Sequence, residues 1–294
     1  MMSSKNYILL VLAFLSLGCD TRSLKEIPKV PSGKLRYDIK HPSQKFFMPD
    51  ELEEISGITY YKPGQIMCVQ DEEGKVFLYN LNERKVSRRI RFAKDGDYED
   101  LVSVGEEIYV AKSNGTLHHF VVTDDKMVND DELDTPLTED NDIEGICLDP
   151  VTQQLWIACK GDAGIKTDSL KGRAVYAYDL QSNTLNPKPV IFLTSEDLES
   201  FVKPNLKQTK KKKVSFKPSA IAVSPLDKRI YLLAATGNLL VVLNRDGSIY
   251  EAIPLSPKVF RQPEGLCFSP EGDMFIASEG DGEVGYIVRF EYLK

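Results

Sequence analysis

The chain has 294 residues, 28% of them charged and 42% apolar, with a formal net charge of -7 and a pI near 5.2. That length can bury a large core in one or two domains. The acidic balance argues against a nucleic-acid binder, which needs a basic footprint, and a chain with only His41, His118 and His119 makes a histidine-rich metal site a poor expectation.

The first residues read as a targeting segment rather than part of a fold. Lys5 is followed by an apolar run over 7–17 and then by Gly18 and Cys19. Such a run is too short to cross a bilayer as a stable helix. Leu15-Ser16-Leu17-Gly18-Cys19 closely resembles the lipobox of a bacterial lipoprotein signal. The polar stretch over 19–33, with Pro28 and Pro31, reads as a tether ahead of one folded domain over 34–294, and the lipobox resemblance implies removal of residues 1–18 and lipidation of Cys19. The resemblance places the domain in the cell envelope, outside the cytoplasm, with the membrane as a partner through the anchor. An ordinary cleaved signal peptide is the alternative.

Residues 34–39 alternate apolar and polar, as a lone strand does. From Glu54 four strands follow, over 55–61, 66–71, 75–81 and 85–92, separated by Lys62-Pro63-Gly64, Glu72-Glu73-Gly74 and Asn82-Glu83-Arg84. A second group has strands over 99–104, 107–112 and 116–123 and a weak fourth, in a tract over 124–141 that carries Asp130, Asp131, Glu132, Asp134, Glu139 and Asp140. The oxygens suit Ca²⁺, but the tract lacks the ordered spacing of an EF-hand loop and reads as a solvated outer edge.

A third group has strands over 144–149, 154–160, 173–180 and 188–193, with insertions over 161–172 and 194–217. In the second insertion Thr194 and Asp197 approximate a capping box ahead of a short helix over 196–203. Its basic run over 207–213 reads as a solvated loop, with binding of a polyanion or anionic lipid as the functional alternative. A fourth group covers 219–224, 229–234, 238–244 and 248–255, and a fifth covers 264–269, 273–278 and 285–292, one strand short. Cys68, Cys147, Cys159 and Cys267 fall inside apolar strand patterns and are expected to be free and buried, with Cys147 facing Trp156.

Each group opens on the same short motif. The copies are Glu54-Ile55-Ser56-Gly57-Ile58, Tyr98-Glu99-Asp100-Leu101, Asp142-Ile143-Glu144-Gly145-Ile146, Pro218-Ser219-Ala220-Ile221 and Pro263-Glu264-Gly265-Leu266. They recur at intervals near 45 residues, apart from one of 75 that contains the second insertion. A repeat of this length with several short strands marks a β-propeller blade. The predicted fold is therefore all-β: a β-propeller of five four-stranded antiparallel blades, closed by residues 35–39 as the outer strand of the last blade. Six blades would need residues 194–217 or those before Glu54 to form one, and both are short in strand signal.

In a blade the first strand lines the central channel, and its start lies at the same face as the end of the antiparallel second strand. This brings Ser56, Glu99, Glu144, Ser219 and Glu264 to one channel mouth, with Asp100 standing where other copies have Gly or Ala. Asp71, Lys112, Lys160, Ala235 and Glu279 arrive there from the second strands, and both insertions emerge on that face. Converging carboxylates repel unless they share a proton, meet a cation or accept backbone N–H groups. Glu99, Glu144 and Glu264 could accordingly hold Ca²⁺, Lys112 and Lys160 could neutralise them, or the glutamates could tie neighbouring blades together. Gly57, Gly145 and Gly265 are expected where backbones crowd at the channel. The chain has no Gly-x-Ser-x-Gly elbow, His-Glu-x-x-His or glycine-rich phosphate loop.

The set of motifs resembles the SdiA-regulated family of bacterial propellers over 35–294. The resemblance implies an extracytoplasmic propeller related to NHL-type propellers, without an established activity. Asp142-Ile143-Glu144-Gly145 is also similar to phytase-like propellers, whose acidic channel binds Ca²⁺ and phosphate, but a basic cluster matched to several phosphates is not evident here. The functional expectation is a monomeric binding or scaffold module that presents its channel face to a small molecule, glycan or envelope protein. The alternative is a Ca²⁺-dependent hydrolase, a phosphoesterase or lactonase, acting at the channel mouth.

Overall fold

Leu239 to Leu243 and Leu155 to Cys159 are buried at every position. Strands covered on both faces read as continuous apolar runs, because alternate side chains enter two different packing layers. A computed structural model describes residues 35–123, 127–165, 170–202, 214–280 and 282–294, without the side chains of 129 and 130. The targeting segment, Cys19 and the basic run over 207–213 lie outside the described residues.

Five antiparallel sheets form the blades. Blade one is β2 (Ile55–Lys62), β3 (Gln65–Gln70), β4 (Lys75–Asn80) and β5 (Lys85–Arg91). Blade two is β6 (Tyr98–Val104), β7 (Glu107–Lys112), β8 (Thr116–Val122) and β9 (Met127–Asp134). Blade three is β10 (Ile143–Leu148), β11 (Leu155–Cys159) and β12 (Arg173–Asp179), with its outer edge shared by β13 (Thr184–Leu185) and β14 (Ile191–Leu193). Blade four is β15 (Ala220–Val223), β16 (Ile230–Ala234), β17 (Leu239–Leu243) and β18 (Ile249–Pro254). Blade five is β19 (Gln262–Phe268), β20 (Met274–Glu279) and β21 (Tyr286–Phe290), completed by β1 (Gln44–Phe47).

The ring closes as expected through an N-terminal strand, but by different residues. β1 pairs with β21 in the register Gln44 to Arg289 and Phe47 to Tyr286. Residues 35–39 instead pack between blades four and five. Tyr37 is buried there, its hydroxyl donates to Gly272 O at 2.6 Å, and its ring meets Tyr231 and Tyr292 edge-on. A buried tyrosine needs both an apolar slot and a hydrogen-bond acceptor, and this gap supplies the two together. The weak fourth strand of blade two is a full strand, β9, whose Asp131 and Glu132 are exposed. The acidic tract is thus a solvated outer edge.

The core is divided into five layers, one between each pair of neighbouring blades. Cys68, Cys147, Cys159 and Cys267 are buried and free, and Cys147 faces Trp156 across β10 and β11. Helix α1 (Ser195–Val202) begins with the reciprocal bonds of a capping box: Asp197 N donates to Thr194 Oγ1 at 3.3 Å, and Thr194 N donates to Asp197 Oδ2 at 2.8 Å. Leu198 and Val202 sink into the layer between blades three and four. The helix is therefore anchored to the wall of the ring.

Candidate functional site

The motif that opens each blade carries a β-bulge. Pairing with the second strand shifts register between Ile55 and Gly57, Tyr98 and Asp100, Ile143 and Gly145, and Pro263 and Gly265. The residue skipped each time is Ser56, Glu99, Glu144 or Glu264. A bulge leaves one residue out of the ladder and re-aims its side chain. In four blades, then, the backbone itself turns the candidate residue toward the channel. Ser219 holds the matching place just ahead of β15, where its N donates to Leu233 O at 2.8 Å.

Glycine follows the bulge because the first strands almost touch. A Cβ on Gly57 would lie 2.5 Å from Asp100 Cα, and one on Gly145 would lie 2.8 Å from Ile221 N. Crowding at the channel is thus the reason for these glycines.

A cavity of about 240 Å³ opens at this mouth. Ser56, Asp71, Glu99, Glu144, Lys160, Ser219, Glu264 and Glu279 line it, and all were expected there from the repeat. Two other expected residues sit elsewhere. Asp100 is buried beneath the mouth, and Lys112 lies beside the Tyr98 ring, 5.5 Å from its centre. Asp97 lines the cavity and was missed. Its signal was present in the repeat, since Asp97 stands two residues before Glu99 as Asp142 stands two before Glu144.

Ser56, Ser219 and Asp100 tie neighbouring blades together, and Ser219 also hydrogen-bonds Glu264 of the next blade. Ser56 Oγ donates to Tyr98 O at 2.8 Å, and Ser219 Oγ donates to Pro263 O at 2.7 Å. The Asp100 carboxyl accepts from Leu101 N at 2.8 Å and from Ile146 N at 2.9 Å, and also from the Ile58 backbone. It joins the first strands of blades one, two and three. Burial drives its pKa well up, against those three donors.

The cavity holds six carboxyl groups and one ammonium. Lys160 Nζ donates to Glu144 Oε1. Burial pushes Glu144 up to about 7 against the pull of Lys160. Burial works to lower the Lys160 pKa, but contact with Glu144 outweighs it and holds the ammonium charged. Burial, then the charges of Glu144 and Asp97, push Glu99 up to about 10. Burial, then Glu144 and Glu279, push Glu264 up to about 8. Asp71 is also raised, by burial and by Glu54 and Glu72, and its Oδ1 is a buried atom without a hydrogen-bond partner. Burial and neighbouring like charges thus favour the protonated forms of Glu99 and Glu264 around the Glu144–Lys160 pair.

Glu99, Glu144 and Glu264 share the cavity, but among the described residues no three His, Cys, Asp or Glu side chains are arranged to hold a metal ion. A larger cavity of about 480 Å³ lies away from the channel, beside the start of α1. Arg173 at its edge is already committed, donating to the carbonyls of Phe216 and Gly161.

No protein-family model matches the chain, and no curated protein matches it in sequence. Solved structures do share its fold. A glutaminyl cyclase from Myxococcus xanthus is 11% identical with a TM-score of 0.54, over 85% of this chain and 95% of that one. The PQQ-bound aldose sugar dehydrogenase from Streptomyces coelicolor is 11% identical with a TM-score of 0.53, over 85% and 97%. A luciferin-regenerating enzyme is 12% identical with a TM-score of 0.51, over 85% and 95%. At such identities the likeness is one of β-propeller fold alone.

Proposed function

We propose that the protein is a binding module whose channel mouth accepts a positively charged group of a small ligand. The observation that carries this reading is a 240 Å³ cavity in which six carboxyl groups face one lysine. Burial and neighbouring like charges raise the pKa of two of those groups, Glu99 and Glu264, and so favour their protonated forms. A cation entering the cavity replaces those protons as the counter-charge. Because no three His, Cys, Asp or Glu side chains among the described residues are arranged around a metal, an organic ammonium is the occupant this reading favours over Ca²⁺. The fixed Glu144–Lys160 pair sets the orientation, and the bulges hold the other carboxyls in place.

Thermal unfolding of the full chain with n-butylamine or CaCl₂ tests this. The expected result is a Tm rise with the amine that is diminished in Glu144→Gln and Glu264→Gln. A rise with neither cation would contradict the reading, and a rise with CaCl₂ alone would restore the metal version.

The proposal also takes in what the leader and the repeat motifs suggest: an SdiA-regulated type of propeller, monomeric, held in the cell envelope through lipidated Cys19. Its partner is a small molecule, a glycan or an envelope protein. Among the described residues no helix is long and apolar enough to cross a membrane. Incorporation of labelled palmitate, lost in Cys19→Ser, is the expected outcome. Hydrolysis of a phosphoester or lactone is a second reading. It draws on neighbouring carboxyls in one cavity, of which Glu144 alone is paired with Lys160 while burial and like charge raise Glu99. Turnover of either substrate class by the full chain, lost in Glu144→Gln, would favour it.

A further inference from the structure

The mouth is polar in a second sense, visible two residues ahead of each bulge position. That place holds Glu54, Asp97 and Asp142 in blades one to three, but Lys217 and Gln262 in blades four and five. The difference has a spatial counterpart. Beside the carboxyl cavity lies a second one of about 220 Å³, lined by Lys160, Lys217 and Arg261 together with Thr236 and Gln262. The two cavities share Lys160, Ser219 and Glu264 as their common wall. One side of the wall carries carboxyl groups, and the other carries ammonium and guanidinium groups.

From this juxtaposition we propose that the ligand is a small zwitterion, its ammonium in the carboxyl cavity and its oxyanion beside Lys217 in the adjoining one. This rests on the cation reading above and extends it. Each cavity alone is smaller than the range of about 300–1,000 Å³ usual for small-molecule sites. Joined across Lys160, they form one site with fixed charge of both signs. Each side also retains free capacity. Asp71 Oδ1 is buried without a donor on the acidic side. On the basic side Arg261 is held by Gly280 O at 3.0 Å and Glu283 at 2.5 Å, which leaves Lys217 as the ammonium to meet the anion. The Thr236 hydroxyl and the Gln262 amide add neutral hydrogen-bonding groups. Gln262 itself bridges the two sides, donating from Nε2 to Glu279 Oε2 at 2.6 Å. A simple amine satisfies the acidic half of this site and leaves Lys217 without an anion from the ligand.

Isothermal titration of the full chain with 4-aminobutanoate, O-phosphoethanolamine and n-butylamine is the test. The inference expects at least one zwitterion to bind roughly tenfold more tightly than n-butylamine, about 1.4 kcal/mol. Which zwitterion does so tells a carboxylate from a phosphate. Lys217→Ala and Lys217→Gln, each checked for an unchanged fold by circular dichroism, should erase the ratio between zwitterion and amine. If n-butylamine binds as tightly as both zwitterions, the inference is overturned while the cation reading stands. A zwitterion preference that survives in both Lys217 variants also overturns it. If no probe binds, both readings fall together.

Discussion

Glu264 shows at the residue scale how the site's chemistry is coupled to stability. Its carboxyl moves from an ordinary value of 4.5 to about 8 in the fold, chiefly through burial. Between those values the folded chain holds a proton that the unfolded chain releases. The stability this proton confers is fully present below about 4.5 and is lost as the pH rises through about 8. Tm measured from about pH 5 to about pH 9 should fall with rising pH. In Glu264→Gln the slope should be shallower, so the variant becomes the more stable of the two at the alkaline end. Equal slopes would contradict the raised value. Lys160→Met leaves Glu144, only 5% exposed, without its cation. The expected cost is about 2 kcal/mol in urea unfolding, below the usual range for a fully buried pair because Lys160 is itself partly solvated. Most of these residues were legible in the sequence, since one motif recurs in every blade. The bulge was not, because a skipped ladder position leaves no mark on composition. Asp97 was overlooked because the motif was aligned on its glycine rather than on the residue three places before it.

The elements that frame the mouth are held by a few specific contacts. Asp100 accepts backbone N–H groups from three blades, so Asp100→Ala leaves buried donors unsatisfied and should cost about 3 kcal/mol. Asp100→Asn keeps one acceptor oxygen and should cost less, and chemical denaturation of the two variants makes the comparison. On the opposite face Arg245, in the turn between β17 and β18, reaches Asp149 at 2.7 Å and lies over the Trp156 ring. Burial works to raise Asp149, but Arg245 and Thr152 hold it below the usual carboxylate range. Asp149 is fully buried, so Arg245→Ala should destabilise the layer between blades three and four by about 3 kcal/mol. Strand order and blade number followed from the repeat, and so did the capped helix. The identity of the closing strand did not. Residues 35–39 and 44–47 both suit an edge, and only the slot between blades four and five selects Tyr37 for packing and leaves Gln44–Phe47 for pairing.

At the scale of the whole molecule, ring closure makes the fold cooperative and the channel mouth rigid. Each first strand contacts its two neighbours around the channel, so the mouth keeps its shape only while the ring is closed. Phe46 is the buried residue of the closing strand, packed edge-on near Tyr79 of blade one. Phe46→Ala should cost about 3 kcal/mol and lower the urea midpoint while a single transition is retained. The same rigidity keeps six carboxyls in a cavity that water alone would let spread apart. The central claim, that this mouth exchanges stored protons for a cation, has a direct test. Titration calorimetry of n-butylamine into the full chain at about pH 7.5, in two buffers of different ionisation enthalpy, counts the protons released on binding. The account predicts release of about half a proton or more per amine bound, sharply reduced in Glu264→Gln. Binding without proton release, or release unchanged in that variant, would contradict it.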